Sequence, residues 1–209
     1  LLRALEGFGF EWDGGEVYQS ERTEIYQSAL ESLSHKDLVY PCTCSRKQLA
    51  EENPGNVYAG HCRHRRLPLK QEHALRLRIE DKIIGVDDTV VETYQQHLGN
   101  ACGDFVIKRK DGLFAYQLAV VVDDAEQGVT EVVRGVDLLD STPRQIYLQQ
   151  QLGYPQPDYL HLPLLLDEQG NKLGKSTGAA ALDLSHPTSS LHQPFRLLDQ
   201  QPPPELANG

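Results

Sequence analysis

Apolar residues recur at Ile25, Tyr26, Ala29, Leu30 and Leu33 within "SERTEIYQSALESL", the three-and-four spacing that turns one face of an α-helix toward a core. Ser20 stands where an N-cap would. The opening "LLRALEGFGF" is helix-like too, and Thr142 followed by Pro143 begins a helix that runs through "RQIYLQQQL" and stops at Gly153. Elsewhere the period falls to two. "ALRLRI" alternates and predicts a strand, as does "VTEVV", while "HLPLLLD" reads as a short buried strand. "FAYQLAVVVDDA" admits both states: Val120, Val121 and Val122 favour a strand, whereas Tyr116, Ala119, Val120 and Asp123 satisfy a helical stripe. Helices and strands mixed in this way, without internal repeats, predict an α/β fold.

Composition narrows the class. A chain of 209 residues, 39% hydrophobic and 24% charged, can bury a core as one large domain or two small ones. It lacks an apolar run near the roughly 20 residues of a membrane span, and nothing at Leu1 resembles a signal peptide. No membrane partner and a cytoplasmic location are therefore expected. Four cysteines are too sparse for a secreted disulfide scaffold. The chain contains no methionine and opens directly on a helix-like segment, so it reads as a fragment whose natural N-terminus is missing.

Three of the cysteines crowd into "YPCTCSRKQLAEENPGNVYAGHCRHRR". Cys42 and Cys44 share a face of an extended segment at roughly 6.6 Å between Cα atoms, which is poor geometry for a disulfide. A metal ion suits them better, because each thiolate reaches inward to a common centre. Cys62 supplies a third ligand once Pro54 and Gly55 reverse the chain. Tyr58, His61 and His64 are all near enough to be the fourth, and zinc chemistry alone favours a histidine. The competing account is three ordinary thiols. Cys102 stands apart and reads as a small core residue. Arg63, His64, Arg65 and Arg66, with Lys70, Arg76 and Arg78 beyond, cluster on a chain of net charge −10; they form a solvated face or a local phosphate-binding surface.

Lys172 and Lys175 sit in the glycine-rich "DEQGNKLGKSTGA", where flexible cations can close over a polyphosphate. "GNKLGKST" also matches the spacing of a Walker phosphate loop, which makes an NTPase a competitor. Against it, no second acidic strand for magnesium is evident, and "LSHPTSS" breaks the helix expected after the loop.

"KLGKS" resembles the signature loop of class I aminoacyl-tRNA synthetases, and the stretch from "GDFVIKRKDG" to "KLGKS" is similar throughout to the glutamyl/glutaminyl branch. The resemblance extends from "ALEGFGFEWDGGEVYQSER" to "QQPPPEL". The C-x-C followed by Y-x-G-x-C-R is similar to the zinc pattern of the subfamily that acts on queuosine in tRNA(Asp). Glutamyl-tRNA synthetases typically close theirs with C-x-H.

That resemblance implies an α/β, Rossmann-type class I catalytic domain, lacking its first strand and ATP motif, with a zinc-binding insertion. Residues 1–38 would end the first Rossmann half, 39–110 form the insertion with its site at 42–62, 111–155 form the second half, and 156–209 hold the signature loop and tail. It implies zinc on Cys42, Cys44, Tyr58 and Cys62, against the unaided preference for histidine. It implies glutamate contacts from Tyr116 and Arg134, which by themselves read as a core aromatic and a surface arginine, and ATP contacts from Lys172 and the catalytic Lys175, with magnesium accompanying the nucleotide. The implied activity is ATP-dependent activation of glutamate and its transfer to the queuosine base in the anticodon of tRNA(Asp). The alternatives are a discriminating glutamyl-tRNA synthetase and a non-catalytic zinc-containing RNA-binding module. Two departures stand out: no His-x-Gly-His motif occurs, so this chain alone is expected to be inactive, and Gly174 replaces the usual serine, which loosens the loop.

Overall fold

The computed structural model describes residues 2–52, 57–68, 70, 72–167, 169–174, 184 and 187–201. Lys175, Ser176 and the proposed turn at Pro54 and Gly55 lie outside them. The chain divides into two compact units, Leu1–Val17, Gly135–Asp137 and Leu162–Gly209 forming one, Tyr18–Arg134 and Leu138–His161 the other.

The larger unit is built round helix α2 (Thr23–His35), which follows the short α1 (Leu2–Gly7) of the smaller one. Tyr26, Ala29, Leu30 and Leu33 are buried on its inner face, as their spacing predicts, while Ile25 is exposed. Ser20 does not cap it. The helix begins at Thr23 after a 3-10 turn over Gln19–Glu21, with Arg22 at the N-cap position and no side-chain cap. Arg22 instead reaches Asp123 (2.7 Å) and Glu126. The helix ends on Asp37 in the left-handed region (φ 54°), where Leu38 N–H returns to Leu33 C=O (3.1 Å).

Strand β1 (Val39–Cys42) pairs antiparallel with β2 (Ala74–Leu77), and β2 with β5 (Val106–Lys108), in a three-stranded sheet that carries helix α3 (Arg46–Glu52) on the β1–β2 connection. A second sheet has the order β4 (Glu92–His97), β3 (Ile83–Asp88), β7 (Asp158–Leu162), β6 (Glu131–Gly135). Its β3–β4 hairpin is antiparallel, and β3 meets β7 in parallel at Asp88 and Tyr159. The short α4 (Leu98–Ala101) follows β4.

The ambiguous valine segment is a helix, α5 (Tyr116–Glu126), with Leu118, Ala119, Val121, Val122 and Asp123 buried. Packing against α2 and α6 (Thr142–Leu152), which also contact one another, decides this against the β propensity of the valines. Asp123 is the junction: it accepts from Tyr26 Oη (2.8 Å), Arg22 Nε and Gln19 Nε2 (2.9 Å). Helix α6 starts and stops where Pro143 and Gly153 (φ 74°) place it. One other expectation shifts. The strand read in "HLPLLLD" is β7, which lies three residues earlier and ends at Leu162, since Pro163 has no N–H to give a ladder. Helix α7 (Pro187–Leu197) starts at Pro187, a position where the missing N–H costs nothing; apart from Leu184, the stretch between residue 174 and this start lies outside the described residues.

Candidate metal centre and glutamate site

The end of β1 and the segment 57–62 bring four sequence-predicted ligands together. The sulfurs of Cys42, Cys44 and Cys62 all lie within 4.8 Å of one another, and among the described residues no histidine joins this group. Tyr58 Oη stands 3.5 Å from Cys42 Sγ and 3.8 Å from Cys44 Sγ, and Cys44 Sγ stands 3.6 Å from Cys62 Sγ. Tetrahedral zinc with Zn–S near 2.3 Å and Zn–O near 2.0 Å would hold its ligands about 3.8 Å (S–S) and about 3.5 Å (S–O) apart. The observed separations are those of a tetrahedron's edges, so the donor set fits such an ion. None of the four cysteines is in a disulfide.

The surroundings are arranged for negative charge. Cys62 N–H donates to Tyr58 Oη (2.9 Å), occupying one lone pair of the phenol and fixing its direction. Arg76, 7% exposed, donates from Nε to Cys42 Sγ (3.2 Å) and from Nη1 to Asp104 C=O (2.6 Å), with its guanidinium 3.6 Å over the Tyr58 ring. Without metal, burial pushes the Tyr58 phenol far up and drives the Cys44 thiol to about 11, helped by Cys62 and Cys42. Burial pushes the Cys62 thiol up, but hydrogen bonds from Thr43, Tyr58 and Cys44 together outweigh it and hold that thiol at about 6.

The basic cluster therefore splits. Arg76 is an internal counter-charge beside the thiols, and Arg63 is turned inward to pair with the buried Asp104 and to donate to Ile79 C=O (3.0 Å). Arg78 donates to Arg63 C=O (2.7 Å) and covers the Tyr40 ring. His64, Arg65, Arg66 and Lys70 are exposed. Cys102 is half-buried against the main core, its thiol donating to Leu98 C=O (3.4 Å), with burial raising it to about 11.

Tyr116 opens α5 and is 47% exposed, so it is not the core aromatic its type suggests. It lines a cavity of about 600 Å³ together with Cys44, Arg76, Lys110 and Phe114. Arg134, near the end of β6, is half-buried and is not a loose surface arginine: it donates to His161 Nε2 (3.1 Å) and Thr142 Oγ1 (2.7 Å) and lies 5.4 Å over the Tyr159 ring. Burial pushes the Tyr159 phenol up; Gln149 and Arg134 oppose that, and Asp124 and Tyr116 add to it.

In the smaller unit, residues 165–167 pair back with 171–173, with Leu173 N–H donating to Leu165 C=O (2.9 Å) and Asp167 N–H to Asn171 C=O (2.8 Å). The Asp167 carboxylate takes Gln169 N–H (2.9 Å) and Asn171 N–H (2.8 Å), and these backbone bonds hold it below the usual carboxylate range. Gly170 supplies the positive φ (81°) of the turn. The amides of Gly170, Asn171 and Leu173 are spent inside this turn, while Lys175, Ser176 and Thr177 of the Walker-type match lie outside the described residues. Lys172 pairs with Asp137 (2.5 Å).

The sequence profile of class I tRNA synthetases (E and Q), catalytic domain, matches residues 1–198. The chain belongs to this family. A glutamyl-Q tRNA(Asp) synthetase of Methylococcus capsulatus is 53% identical over 207 residues, covering 99% of this chain and 68% of that protein. One of Neisseria meningitidis serogroup C is 53% identical over 212 residues, covering 98% and 72%. Among solved structures, a glutamate tRNA ligase of Elizabethkingia meningosepticum superposes with TM-score 0.69 at 26% identity, covering 84% of this chain and 41% of that one. The chain thus spans about two fifths of that ligase. The α/β class I catalytic domain is established by these likenesses, and family membership makes the protein an ATP-using ligase. No helix among the described residues is long and apolar enough to cross a membrane.

Sequence reasoning missed two groups in this synthetase domain. Arg76 looked like surface charge because "ALRLRI" alternates. Thr142 and His161, which bond Arg134, and Asp88, which bonds His161, carry no local motif; only the "VDDTVV" turn signal hinted at Asp88, whose Oδ1 accepts from Val90 and Val91 N–H (2.9 and 2.8 Å).

Proposed function

We propose that the protein activates glutamate with ATP and transfers it to the queuosine base in the anticodon of tRNA(Asp), working in the cytoplasm. The observation that carries the reading is the closure of the thiol cluster by Tyr58 where other glutamyl enzymes use histidine. The names and 50–53% identity of the relatives support it.

In this reading Cys42, Cys44, Tyr58 and Cys62 hold zinc, which ties segment 57–62 to β1 and serves as a structural ion. Residues 39–110 are the zinc-bearing insertion between Rossmann-type halves ending at 38 and spanning 111–155, with the signature region in 156–209. Arg134 gives glutamate a permanently charged, planar partner and Tyr116 a directed hydrogen bond. Lys175 and Lys172 meet ATP and its magnesium, Lys175 neutralising pyrophosphate as the glutamate carboxylate attacks the α-phosphate. Phe114 and the cations lining the cavity beside Tyr116 suit a base and its phosphate. The exposed Arg65 and Arg66 suit contacts to anticodon-loop phosphates.

The full-length gene product should attach labelled glutamate to queuosine-containing tRNA(Asp), with the label staying on the anticodon fragment after nuclease digestion. Label on the 3′ adenosine of tRNA(Glu) would overturn the reading. Lys175→Ala should slow ATP–pyrophosphate exchange by about two to three orders of magnitude.

A further inference from the structure

Two fully buried, chemically potent groups have no part in the function as described. The side chains of His161 and Asp88 are both 0% exposed and joined at 2.7 Å between Nδ1 and Oδ2. Burying an ionisable pair is costly, and such a pair persists where it sets the geometry of something else.

We infer that His161, oriented by Asp88 and seconded by Thr142, is a positioning residue that sets the guanidinium of Arg134 for the carboxylate of the substrate amino acid. The inference rests on Arg134 being that carboxylate's partner.

Donor and acceptor chemistry fixes the arrangement. An ionised carboxylate only accepts, so His161 Nδ1 carries a hydrogen toward Asp88 Oδ2. A guanidinium only donates, so Nε2 must turn its lone pair to Arg134 Nε, 3.1 Å away. Both ends of the ring demand the same neutral tautomer. Asp88 also takes His161 backbone N–H (3.0 Å) on the same oxygen, and Val90 and Val91 N–H on the other. Burial pushes this carboxyl up, but those backbone bonds and His161 prevail and hold it low, which keeps it an acceptor.

Thr142 Oγ1, buried at the first turn of α6, accepts from Arg134 Nη2 (2.7 Å) and lies 3.1 Å from His161 Nε2. The guanidinium is therefore held along its Nε–Nη2 edge, which leaves N–H donors on Nη1 and Nη2 for a ligand. Tyr159 floors it, its ring stacked on His161 (6.1 Å, 16°). The four supports come from β3, α6 and β7 and meet where β3 and β7 pair at Asp88 and Tyr159. An arginine so held has lost its rotamer freedom before the substrate arrives, so glutamate binds without that cost.

The test is glutamate-dependent ATP–pyrophosphate exchange by the full-length gene product, with KM for glutamate and for ATP, kcat and thermal midpoint read for each variant. His161→Gln, which can present an oxygen where Nε2 lies, should stay within about threefold of the parent. His161→Asn, which can satisfy only Asp88, should raise the KM for glutamate about 10- to 100-fold with KM for ATP nearly unchanged. Asp88→Asn should match His161→Asn, because an amide N–H can face Nδ1 and turn an Nε2–H against the guanidinium. Equal glutamate KM for His161→Asn and His161→Gln, or a joint rise in both KM values, overturns the inference. Arg134→Lys separates the two layers: a glutamate KM unmoved by it refutes the role of Arg134 itself, whereas a large rise beside a silent His161→Asn refutes only the relay. Should the variants not fold, nitrogen NMR of His161 in the unaltered protein decides, the Nδ1–H tautomer supporting the relay and an Nε2–H tautomer sinking it.

Discussion

Replacing Arg76 should weaken the metal centre without touching a ligand. Its guanidinium is the only cation the structure places against a cluster sulfur among the described residues, donating to Cys42 Sγ at 3.2 Å. On the proposed ligand set, three thiolates and a phenolate around a divalent ion would leave net negative charge in a buried site, which Arg76 would offset in part at short range where water screens little. Losing an outer partner of this kind typically costs 10- to 100-fold in metal affinity, or about 1.4–2.7 kcal/mol. Arg76→Met, which keeps the volume, also strands the Asp104 carbonyl (about 1–3 kcal/mol) and removes the stacking on Tyr58 (about 2 kcal/mol). Because these contacts share one side chain, a total near 3 kcal/mol is expected, not their sum. Competition against a chromophoric chelator reads the affinity, and urea unfolding at saturating zinc reads the stability. Arg76→Lys should fall between, since an ammonium keeps the charge but cannot reach sulfur and carbonyl together. Zinc affinity within twofold of the parent for Arg76→Met, alongside lost stability, would show that Arg76 packs the site without balancing its charge.

Elemental analysis of freshly purified protein should find one zinc per chain; Cys42→Ser combined with Cys44→Ser should abolish it, and His61→Ala should not, whereas undiminished metal in the double variant would refute the ligand set. Asp123→Ala removes the acceptor shared by Tyr26, Arg22 and Gln19 and should cost about 3 kcal/mol in denaturant unfolding; a loss under 1 kcal/mol would mean α2 and α5 are held by apolar packing alone.

The sequence by itself determined the elements whose cues are local. The helical stripe of α2, the Pro143 start and Gly153 stop of α6, and the extended β1 follow from spacing and backbone preference over a few residues, and the structure keeps them. The zinc-type pattern was legible for the same reason, because Cys42 and Cys44 share one strand end and Cys62 returns nearby. Other features depended on distant partners. Val120 to Val122 carry a strand preference, and only burial between α2 and α6 makes them helical. Strand β4, "ETYQQH", has no apolar alternation to show, and exists because β3 supplies its ladder. Arg76 and Arg63 look like surface charge until Cys42 and Asp104 meet them. Thr142, His161 and Asp88 are separated by long stretches of chain, and their joint hold on Arg134 comes into being only when β3 and β7 pair. A hydrogen-bond relay has no sequence period, since its geometry is set by the sheet that assembles it.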